Sequence, residues 1–562
     1  MSNGSGALSI RLTSIIPILF VGTLVLGTWA WHERNYTYLD SLYRAISLFD
    51  LGNDLYNQGG NLDWRFQVGR WTGLVTVFGT AVFALTALLQ ERITATAARW
   101  ARQAIVVIGS GSISAKAFEA AKRTGQSVIW IGANAIGSGV LKSIALPWPP
   151  EDHAVTISTH ALNADYVLIT HHDDAEAIVL ARTARIAAPR SFITVLMHDT
   201  RLAEDIAATV NESRTRILSV AALSARALHQ KHPPFLRAKE LGHGRIHALI
   251  IGFGQTGQAI ARDLIVNCRA SYLEIPRITV VDPNASTLAN VMRLRAPEID
   301  QCADFEFVEG LLSTEMTEPS PEDLAARIAE GGPLTAAYIC IHDDASTLST
   351  AAMLQSLFRE VSVRDLSVFV RLREGKMVGG DEEDLRGLET LVPFGDTSEV
   401  LAASEFLSAR PDAAARNYCE AYRAALPAEQ RNDPANRSAR PWDELDETFR
   451  QASRDAVAHV PAKLASAGID PALWRGVTGL PRLPKGVVLF HDEAGCEVLA
   501  RLEHERWNAQ RRMDGWRRTS APSKDTVLRL HPDLRPYDEL SEQVKEYDRV
   551  YVRETQALCT GQ

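Results

Sequence analysis

The sequence predicts a membrane protein of three parts: an α-helical module with two spans, two successive α/β units, and a mainly helical C-terminal domain. Two uncharged runs, 12–31 and 71–90, are each long enough to cross a hydrocarbon core of about 30 Å as a helix. A buried-strand pattern, a glycine-rich turn and a helix occur twice, roughly 140 residues apart. A shift in composition after residue 402 marks the third part.

The composition excludes several classes of protein. The chain has 562 residues, of which 46% are hydrophobic and 23% charged, and these values exclude wholesale disorder. The net charge of −9 argues against a globally basic surface, so we expect no nucleic-acid partner. The six cysteines include no CxxC pair, which predicts reduced thiols in a cytosolic region and no metal cofactor.

The charges beside the two apolar runs predict their orientation. Arg11 precedes the first run, and the second is followed by three arginines opposed by one acidic residue: Arg92, Arg99 and Arg102 against Glu91. Because positive charge accumulates on the cytoplasmic side, we expect both termini in the cytoplasm and the loop between the runs outside. The alternatives are a cleaved signal peptide for the first run and a buried core helix for the second.

The loop between the two runs has the pattern of a re-entrant pore segment. Residues 41–49 have apolar side chains at helical spacing and lead into the predicted pore segment, Phe49, Asp50, Leu51, Gly52, Asn53 and Asp54. This layout resembles the pore module of two-span potassium channels, although the Thr-Val-Gly-Tyr core of their filter is absent. The two aspartates predict cation selectivity that is not strict for potassium. The alternative is a simple linker outside the membrane.

The first α/β unit, predicted over 104–235, begins with a buried strand, the turn Gly109-Ser110-Gly111 and a helix. This is the start of a Rossmann βαβ unit, in which Ser114 takes the place of the third glycine of a G-x-G-x-x-G turn. Gly109 and Gly111 are the candidate phosphate-binding residues. No acidic residue follows the second strand at 132–134, so this unit is the weaker nucleotide site.

The second unit, predicted over 236–400, has the complete glycine turn and a second strand that ends in an acidic residue. These features predict an adenine nucleotide or NAD(H), bound by Gly252, Gly254, Gly257, Asp282 and Asp344. The alternative is that both turns serve only tight packing between strand and helix.

The two units together resemble the TrkA-N type Rossmann domains of regulator-of-potassium-conductance (RCK) gating rings. The resemblance rests on the turns at Gly109 and Gly252 and on the Asp-Asp-Ala steps that begin at Asp173 and Asp343. It implies a cytosolic ring beneath a tetrameric pore.

The C-terminal region carries motifs of a different kind: E-H-E-R-W at 503–507, R-x-D-G-W at 512–516, H-P-x-L at 531–534 and P-Y-D-E-L at 536–540. The set resembles the ryanodine-receptor (RyR) repeat domain, which implies a small nucleotide-like ligand. Tryptophan faces and arginine forks suit such a ligand, so the predicted sensing residues are Glu503, Arg506, Trp507, Arg512, Trp516 and Arg517, with Arg501 and Arg511 nearby. The alternative places the tryptophans in the core and the charges in surface pairs. A polar linker before the domain predicts that it moves relative to the ring.

These parts predict a ligand-gated, cation-conducting channel subunit of the bacterial inner membrane, homotetrameric, with lipid, an inorganic cation and a small anionic ligand as partners. The predicted segments are a tail at 1–10, spans at 11–31 and 71–92 around the loop 32–70, a linker at 93–103, the α/β units 104–235 and 236–400, a helix and linker at 401–440, and the RyR repeat domain at 441–562. The main alternative is a membrane-anchored nucleotide-sensing scaffold for stress or phage defence that is not a channel. We expect no catalytic residue and no enzyme activity; an oxidoreductase that uses the Gly252 turn is a weaker alternative.

Overall fold

The computed structural model describes residues 4–50, 63–100, 104–132, 143–147, 157, 164–210, 212, 214–312, 317–318, 320–360, 366–372, 391–396, 400–401, 412–477 and 480–561. All six cysteines lie within these ranges, and each is unpaired and buried. This agrees with the prediction of reduced thiols.

The N-terminal part consists of two long helices and one short helix. They are α1 (Gly4–His32), α2 (Tyr38–Ile46), which continues as a 3-10 turn over Ser47–Phe49, and α3 (Trp64–Trp100). α1 and α3 run antiparallel, because Trp31 near the end of α1 contacts Phe66 near the start of α3, with ring centroids 5.1 Å apart. Midway along both helices the hydroxyl oxygens of Thr23 and Thr72 are 2.7 Å apart.

One of the two long helices contains a described segment that could cross a membrane. Among the described residues, one segment, Ile15–His32, is long and apolar enough to cross a membrane. The second predicted span, 71–90, is helical within α3 but is not among the segments that meet this criterion. The two-span arrangement and the multi-pass location therefore stay predictions.

The first α/β unit contains one six-stranded parallel sheet. Its strands are β1 (Ala104–Ile108), β2 (Ser127–Gly132), β3 (Ser143–Pro147), β4 (Ala164–Thr170), β5 (Phe192–Met197) and β6 (Thr215–Ser219), in the spatial order β3-β2-β1-β4-β5-β6. The helices are α4 (Ser112–Lys122), α5 (Asp174–Ala187) and α6 (Thr200–Val210). The order reverses direction at β1, as in doubly wound Rossmann sheets. β1 is buried along its whole length, which explains its continuous apolar run.

Two helices, α7 (Val220–Lys231) and α8 (Pro234–Leu241), lead to a second sheet of the same kind. Its strands are β7 (His247–Ile251), β8 (Arg277–Asp282), β9 (Asp304–Glu309), β12 (Ala336–Ile339), β13 (Ser367–Arg371) and β14 (Leu391–Phe394), and β10 (Leu311–Leu312) pairs with β11 (Thr317–Glu318) outside the sheet. The spatial order is β9-β8-β7-β12-β13-β14. The helices are α9 (Gln255–Val266), α10 (Ala285–Arg295), α11 (Pro321–Glu330) and α12 (Asp344–Glu360). The shared order confirms two successive Rossmann-like units.

The C-terminal domain is mainly helical, as predicted. Its elements are α13 (Ala413–Ala425), α14 (Ala428–Arg431), α15 (Glu447–Ala458), α16 (Val460–Ser466), α17 (Glu493–Met513), β15 (Arg517–Arg518), β16 (Leu530–His531) and α18 (Glu542–Thr560). Short 3-10 turns stand at Arg437–Ala439, Trp442–Glu444, Pro471–Leu473 and Tyr537–Glu539.

The C-terminal domain and the second Rossmann unit share one hydrophobic core. Ile260 and Leu264 of α9 belong to the same buried cluster as Leu499 of α17. Trp474 stacks on Phe235 of α8 with ring centroids 6.2 Å apart. The expectation that a polar linker lets this domain move freely is therefore wrong, because separating the two parts would expose their common core to water.

Candidate functional site

The short helix α2 and its 3-10 turn lie against both long helices at glycines. A Cβ atom at Gly27 of α1 would stand 2.7 Å from Leu48 Cδ1 and 2.9 Å from Ala45 Cβ. At Gly73 of α3, it would stand 2.6 Å from the carbonyl oxygen of Leu48. Carbon atoms do not approach so closely, so these glycines create the groove in which Ala45 and Leu48 are buried.

Two of the six predicted pore residues lie at the end of this short helix. Phe49 stacks on Phe20 of α1, with ring centroids 5.0 Å apart, and Asp50 is exposed. Leu51, Gly52, Asn53 and Asp54 lie outside the described residues. The pore-lining role of the six residues stays a prediction.

The glycine turn of the second Rossmann unit combines a packing role with open space. A Cβ at Gly257 would stand 2.2 Å from the carbonyl oxygen of Gly252, so this glycine lets α9 pack onto the turn. Gly254 differs, since a Cβ there would meet no atom within 4 Å. The turn therefore leaves room at the N-terminus of α9, where backbone N–H groups suit a phosphate.

The acidic residues predicted beside this turn lie at the same edge of the sheet. Asp282, at the end of β8, accepts the Phe253 N–H at 2.8 Å and the Asn284 N–H at 2.8 Å, so its carboxylate holds the turn in place. Asp344 is the first residue of α12, beyond β12. Its neighbour Asp343 accepts the Ser346 N–H at 2.7 Å, and this hydrogen bond lowers the pKa of the Asp343 carboxyl.

The glycine turn of the first unit is surrounded more closely. Gly109 has φ +142°, and a Cβ there would stand 1.7 Å from the carbonyl oxygen of Thr170. Trp130 Nε1 donates to the Gly109 carbonyl at 2.9 Å, and Ser114 Oγ donates to the Thr170 carbonyl at 2.9 Å. A side chain at Gly132 would stand 2.0 Å from the Gly109 carbonyl oxygen, which explains why no acidic residue occupies that position. Packing accounts for these contacts, while Gly111 has open space around it.

Glu503 and Arg506 of α17 are paired with each other inside the C-terminal domain. Glu503 is 2% exposed and Arg506 1%. Arg506 Nη2 lies 2.7 Å from Glu503 Oε1, and Lys463 Nζ lies 2.8 Å from Glu503 Oε2. Burial alone would raise the pKa of Glu503, but the charges of Arg506 and Lys463 hold that pKa well below its usual range. Both predicted sensing residues thus belong to a buried ion cluster.

The R-x-D-G-W motif joins the C-terminal domain to the second Rossmann unit. Arg512 Nε donates to Glu298 Oε2 at 3.1 Å, and Arg262 Nη2 of α9 lies 3.1 Å from Asp514 Oδ1. Gly515 has φ +84°, and a Cβ there would stand 2.6 Å from the Arg295 carbonyl oxygen. The motif therefore forms an interface between domains, and Arg517, which follows it in β15, is exposed.

The two predicted tryptophans lie on either side of one arginine. The guanidinium carbon of Arg511 is 5.9 Å from the Trp507 ring centroid, 5.5 Å from that of Trp516 and 5.2 Å from that of Phe449. Trp507 is half-buried, whereas Trp516 is 5% exposed. His531 stands at the edge of Trp507, with ring centroids 5.0 Å apart.

Two cationic side chains, Arg511 and Lys524, lie beside these rings. Within the described part of the chain, neither Arg511 nor Lys524 forms an ion pair; Arg511 donates to Thr448 Oγ1 at 3.3 Å and Lys524 to Ser438 Oγ at 2.9 Å. Burial, and then the charge of Arg511, lowers the pKa of Lys524 to about 8. The same two causes, with Lys524 added, lower the pKa of His531 to about 3. We call this set the aromatic–arginine cluster: Phe449, Trp507, Arg511, Trp516, Lys524 and His531.

Sequence reasoning found part of this cluster. The two tryptophans and Arg511 lie on or just after one helix, so their proximity follows from helical spacing. Phe449 and Lys524 were missed, because they come from α15 and from the segment between β15 and β16, and no local pattern relates them to α17.

Comparison with known families supports the C-terminal prediction. Residues 487–560 match the family described as the RyR domain. No curated protein sequence matches the chain.

The similarity of this chain to solved structures is low. GsuK bound to ADP is 14% identical, covering 72% of this chain and 98% of that one, with a TM-score of 0.36. The GsuK channel bound to NAD is 11% identical, covering 72% and 83%, with a TM-score of 0.36. A dipicolinate synthase chain from Bacillus halodurans is 8% identical, covering 53% and 94%, with a TM-score of 0.20. At such low TM-scores, no functional property passes from these proteins to this chain.

Proposed function

We propose that the chain is a subunit of a ligand-gated, cation-conducting channel. The observation that carries the proposal is the packing of α2 and its 3-10 turn against both α1 and α3 at Gly27 and Gly73. A short helix held between two antiparallel helices is the layout of a re-entrant pore segment. Large apolar side chains are exposed on the outer surfaces of both long helices, where lipid or a second copy of the chain would cover them: Val25, Trp29, Trp71, Val75 and Phe78.

The pore would be formed by several copies, and four is the number that the predicted layout implies. Each copy would place Asp50 and Asp54 at the mouth of the pore, where a ring of carboxylates raises the local concentration of cations. The arginine of the short helix, Arg44, contacts aromatic rings. Arg44 lies over the Tyr36 ring, 4.2 Å from its centroid, and near Trp31 at 5.1 Å.

Gating would pass from the α/β units to the membrane through α3. This helix has 37 residues, about 55 Å at 1.5 Å per residue, and only residues 101–103 separate its end at Trp100 from β1. A ligand that binds one arrangement of the α/β units more tightly shifts the balance between open and closed pores.

Two sites would take the ligands. The open turn at Gly254 suits an adenine nucleotide or NAD(H), with the phosphates at the N-terminus of α9. The aromatic–arginine cluster suits a small anionic, nucleotide-like ligand, because Trp507 offers a stacking face and Arg511 a desolvated positive charge.

The test is conductance of the purified protein in planar bilayers under a salt gradient, with and without ATP, ADP and NAD. We expect a cation current that responds to at least one nucleotide, and a weaker response in Arg511→Gln. Arg501→Gln is the matched control, because Arg501 lies on the same helix but is half-exposed and paired with Asp538. A current carried mostly by chloride, or no current, contradicts the proposal.

A second function is supported by the match of residues 487–560 to the RyR domain together with the candidate span Ile15–His32, because a ligand-binding domain on a membrane anchor requires no pore. The chain would then be a membrane-anchored nucleotide-sensing scaffold, for instance in stress or phage defence. Nucleotide binding without conductance in the same bilayer experiment would support this function.

A further inference from the structure

A cavity of about 710 Å³ lies where the two Rossmann units and the C-terminal domain meet. The first unit lines it with α6 and β6, the second with α9 and the end of α10, and the C-terminal domain with Phe449 and Trp516. Small-molecule sites have volumes of roughly 300–1,000 Å³ and occur preferentially at domain interfaces. Size and position are therefore those of a ligand site.

Of the seven arginines that the structure describes on the wall of this cavity, three are paired with carboxylates of another part of the chain. Arg216 of β6 lies 3.2 Å from Asp412, Arg226 of α7 lies 3.0 Å from Asp455, and Arg262 of α9 reaches Asp514. These ion pairs hold the three parts together and leave little positive charge available to a ligand.

Three other arginines also line the cavity: Arg201, Arg295 and Arg529. Among the described residues, none of these three forms an ion pair. Arg201 Nη2 donates to the amide oxygen of Gln258, and Arg529 Nη1 donates to the carbonyl oxygen of Asp514 at 2.7 Å. Burial, and then the charge of Arg295, lowers the pKa of Arg201, so these two cations are close neighbours. Carboxylates such as Glu204 and Asp514 also line the cavity, but among the described residues none lies within ion-pair distance of these three guanidinium groups.

We propose that this cavity binds a phosphorylated ligand of nucleotide size, with Arg201, Arg295 and Arg529 as its phosphate-binding residues. Guanidinium groups recognise phosphate by paired hydrogen bonds, and the geometry brings three of them to one cavity from three different parts of the chain. Gly254 does not line the cavity, although the next residue, Gln255, does, and Phe449 and Trp516 of the aromatic–arginine cluster reach its wall. The three proposed phosphate-binding arginines belong to neither ligand site of the proposed function.

A ligand in this cavity would have an effect that a ligand at either of the other two sites would not have. Its phosphate would be held by α6 of the first unit, the end of α10 of the second unit and the C-terminal domain together. Binding would therefore fix the relative position of all three. The proposal goes beyond the channel function, because it requires no pore.

The test is calorimetric titration of the full-length protein in detergent with inorganic pyrophosphate, which has no base to stack. The titration is made in the unchanged chain and in a Gly254→Val background, in which the Rossmann turn is blocked. We expect pyrophosphate to bind in both, and Arg295→Gln or Arg529→Gln to weaken binding by about tenfold or more, as expected for a lost charged hydrogen bond. Both arginines are exposed, so the substitutions should leave the fold intact.

Arg293→Gln is the matched control, because Arg293 lies on the same helix, pairs with Asp300 and does not line the cavity. Its affinity should equal that of the parent. Unchanged affinity in both Arg295→Gln and Arg529→Gln would overturn the proposal, and so would loss of all binding in Gly254→Val alone. Failure to conduct ions bears only on the channel function and leaves this titration valid.

Discussion

At the scale of single residues, burial and pairing decide whether a charged side chain stabilises the fold or is available to bind a ligand. Glu503 contacts two cations within 3 Å and is shielded from water, whereas Arg511, on the same helix, contacts aromatic rings and one hydroxyl group. A ligand would have to displace an existing partner to reach Glu503, whereas Arg511 forms no ion pair among the described residues, although Asp514 lies near enough to act on its charge. Arg511 is therefore the better candidate for recognising an anion.

The first prediction concerns the buried ion cluster. Glu503→Gln leaves Lys463 and Arg506 without their counterion, and breaking a buried pair in this way costs about 3–5 kcal/mol. We expect the free energy of unfolding to fall by that amount in chemical denaturation followed by circular dichroism. Glu505→Gln is the control, since Glu505 is half-exposed and 3.8 Å from Arg269, and it should change stability by less than about 1 kcal/mol. Equal effects of the two substitutions would show that the cluster is not structural.

The second prediction concerns pH. Burial lowers the pKa of His247 and of His459 to about 4 in the folded protein, from an unfolded value of about 6.5. Between pH 4 and pH 6.5 the unfolded chain binds protons that the folded chain does not. The free energy of unfolding therefore has its full value above about pH 6.5 and falls as the pH decreases toward 4. We expect a lower melting temperature at pH 5 than at pH 7.5. His247→Asn should show a smaller decrease between the two pH values, and an unchanged decrease would contradict this assignment.

At the scale of elements, glycines decide how closely a helix packs against its neighbours. Two glycines of the same turn have different surroundings. Gly257 lies under α9 with no room for a methyl group, whereas Gly254 faces open space. The same contrast exists in the N-terminal helices. Gly27 receives the short helix, and Gly22, further back on α1, has no atom within 4 Å of its Cβ position.

The third prediction uses the pair in the Rossmann turn. Gly257→Ala places a methyl group against the Gly252 carbonyl oxygen and should lower the melting temperature of the protein, at a cost of about 1–3 kcal/mol for overpacking. Gly254→Val should leave the melting temperature nearly unchanged but abolish binding of adenine nucleotide, because the side chain fills the space of the phosphate. Equal nucleotide affinity of Gly254→Val and the parent would leave the turn with a packing role alone.

The fourth prediction uses the pair on α1. Gly27→Val forces Leu48 and Ala45 away from α1, so it should displace the short helix and abolish or strongly reduce conductance. Gly22→Val adds the same side chain to the same helix without this collision and should conduct like the parent. Single-channel recording of both variants gives the comparison, and normal currents in Gly27→Val would argue against a pore role for the short helix.

At the scale of the whole molecule, the C-terminal domain is part of the same folded body as the second Rossmann unit. Their common core includes Ile260 of α9, Leu499 of α17 and Trp474, and Arg262 links the two parts by ion pairs with Asp455 and Asp514. A ligand that binds the C-terminal domain therefore acts directly on α9, the helix that begins at the Gly252 turn. This connection offers a physical route from a ligand in the C-terminal domain to the glycine turn of the second Rossmann unit.

The fifth prediction follows from this shared core. Trp474→Ala should increase hydrogen exchange in β7 and in α17 together, because the cavity it leaves destabilises both parts, typically by about 3–5 kcal/mol. Trp130→Ala, an equal change in the core of the first unit, should increase exchange in β1 and β2 while leaving α17 protected. Increased exchange confined to the C-terminal domain in Trp474→Ala would mean that the two parts unfold separately.

The sequence alone determined the features that depend on neighbouring residues. The sequence predicted the strands and helices, the two glycine turns and the RyR motifs, because each of these patterns lies within a short stretch of chain. It also predicted the duplicated order of elements, because the same series of local patterns occurs twice. It also marked Trp507 and Arg511 as neighbours on one helix.

Only the tertiary structure decided which charges are satisfied by the protein. Arg512 is paired with Glu298, 214 residues earlier in the chain, and the cavity gathers Arg201, Arg295 and Arg529 from three separate parts. A charged side chain is paired only if folding brings an opposite charge within a few ångströms of it. Residue type and local spacing do not predict the distance between two groups that are far apart in the sequence. For this reason the predicted sensing residues are distributed in the structure among a buried ion cluster, a contact between domains and the aromatic–arginine cluster, and Arg517 is exposed in β15.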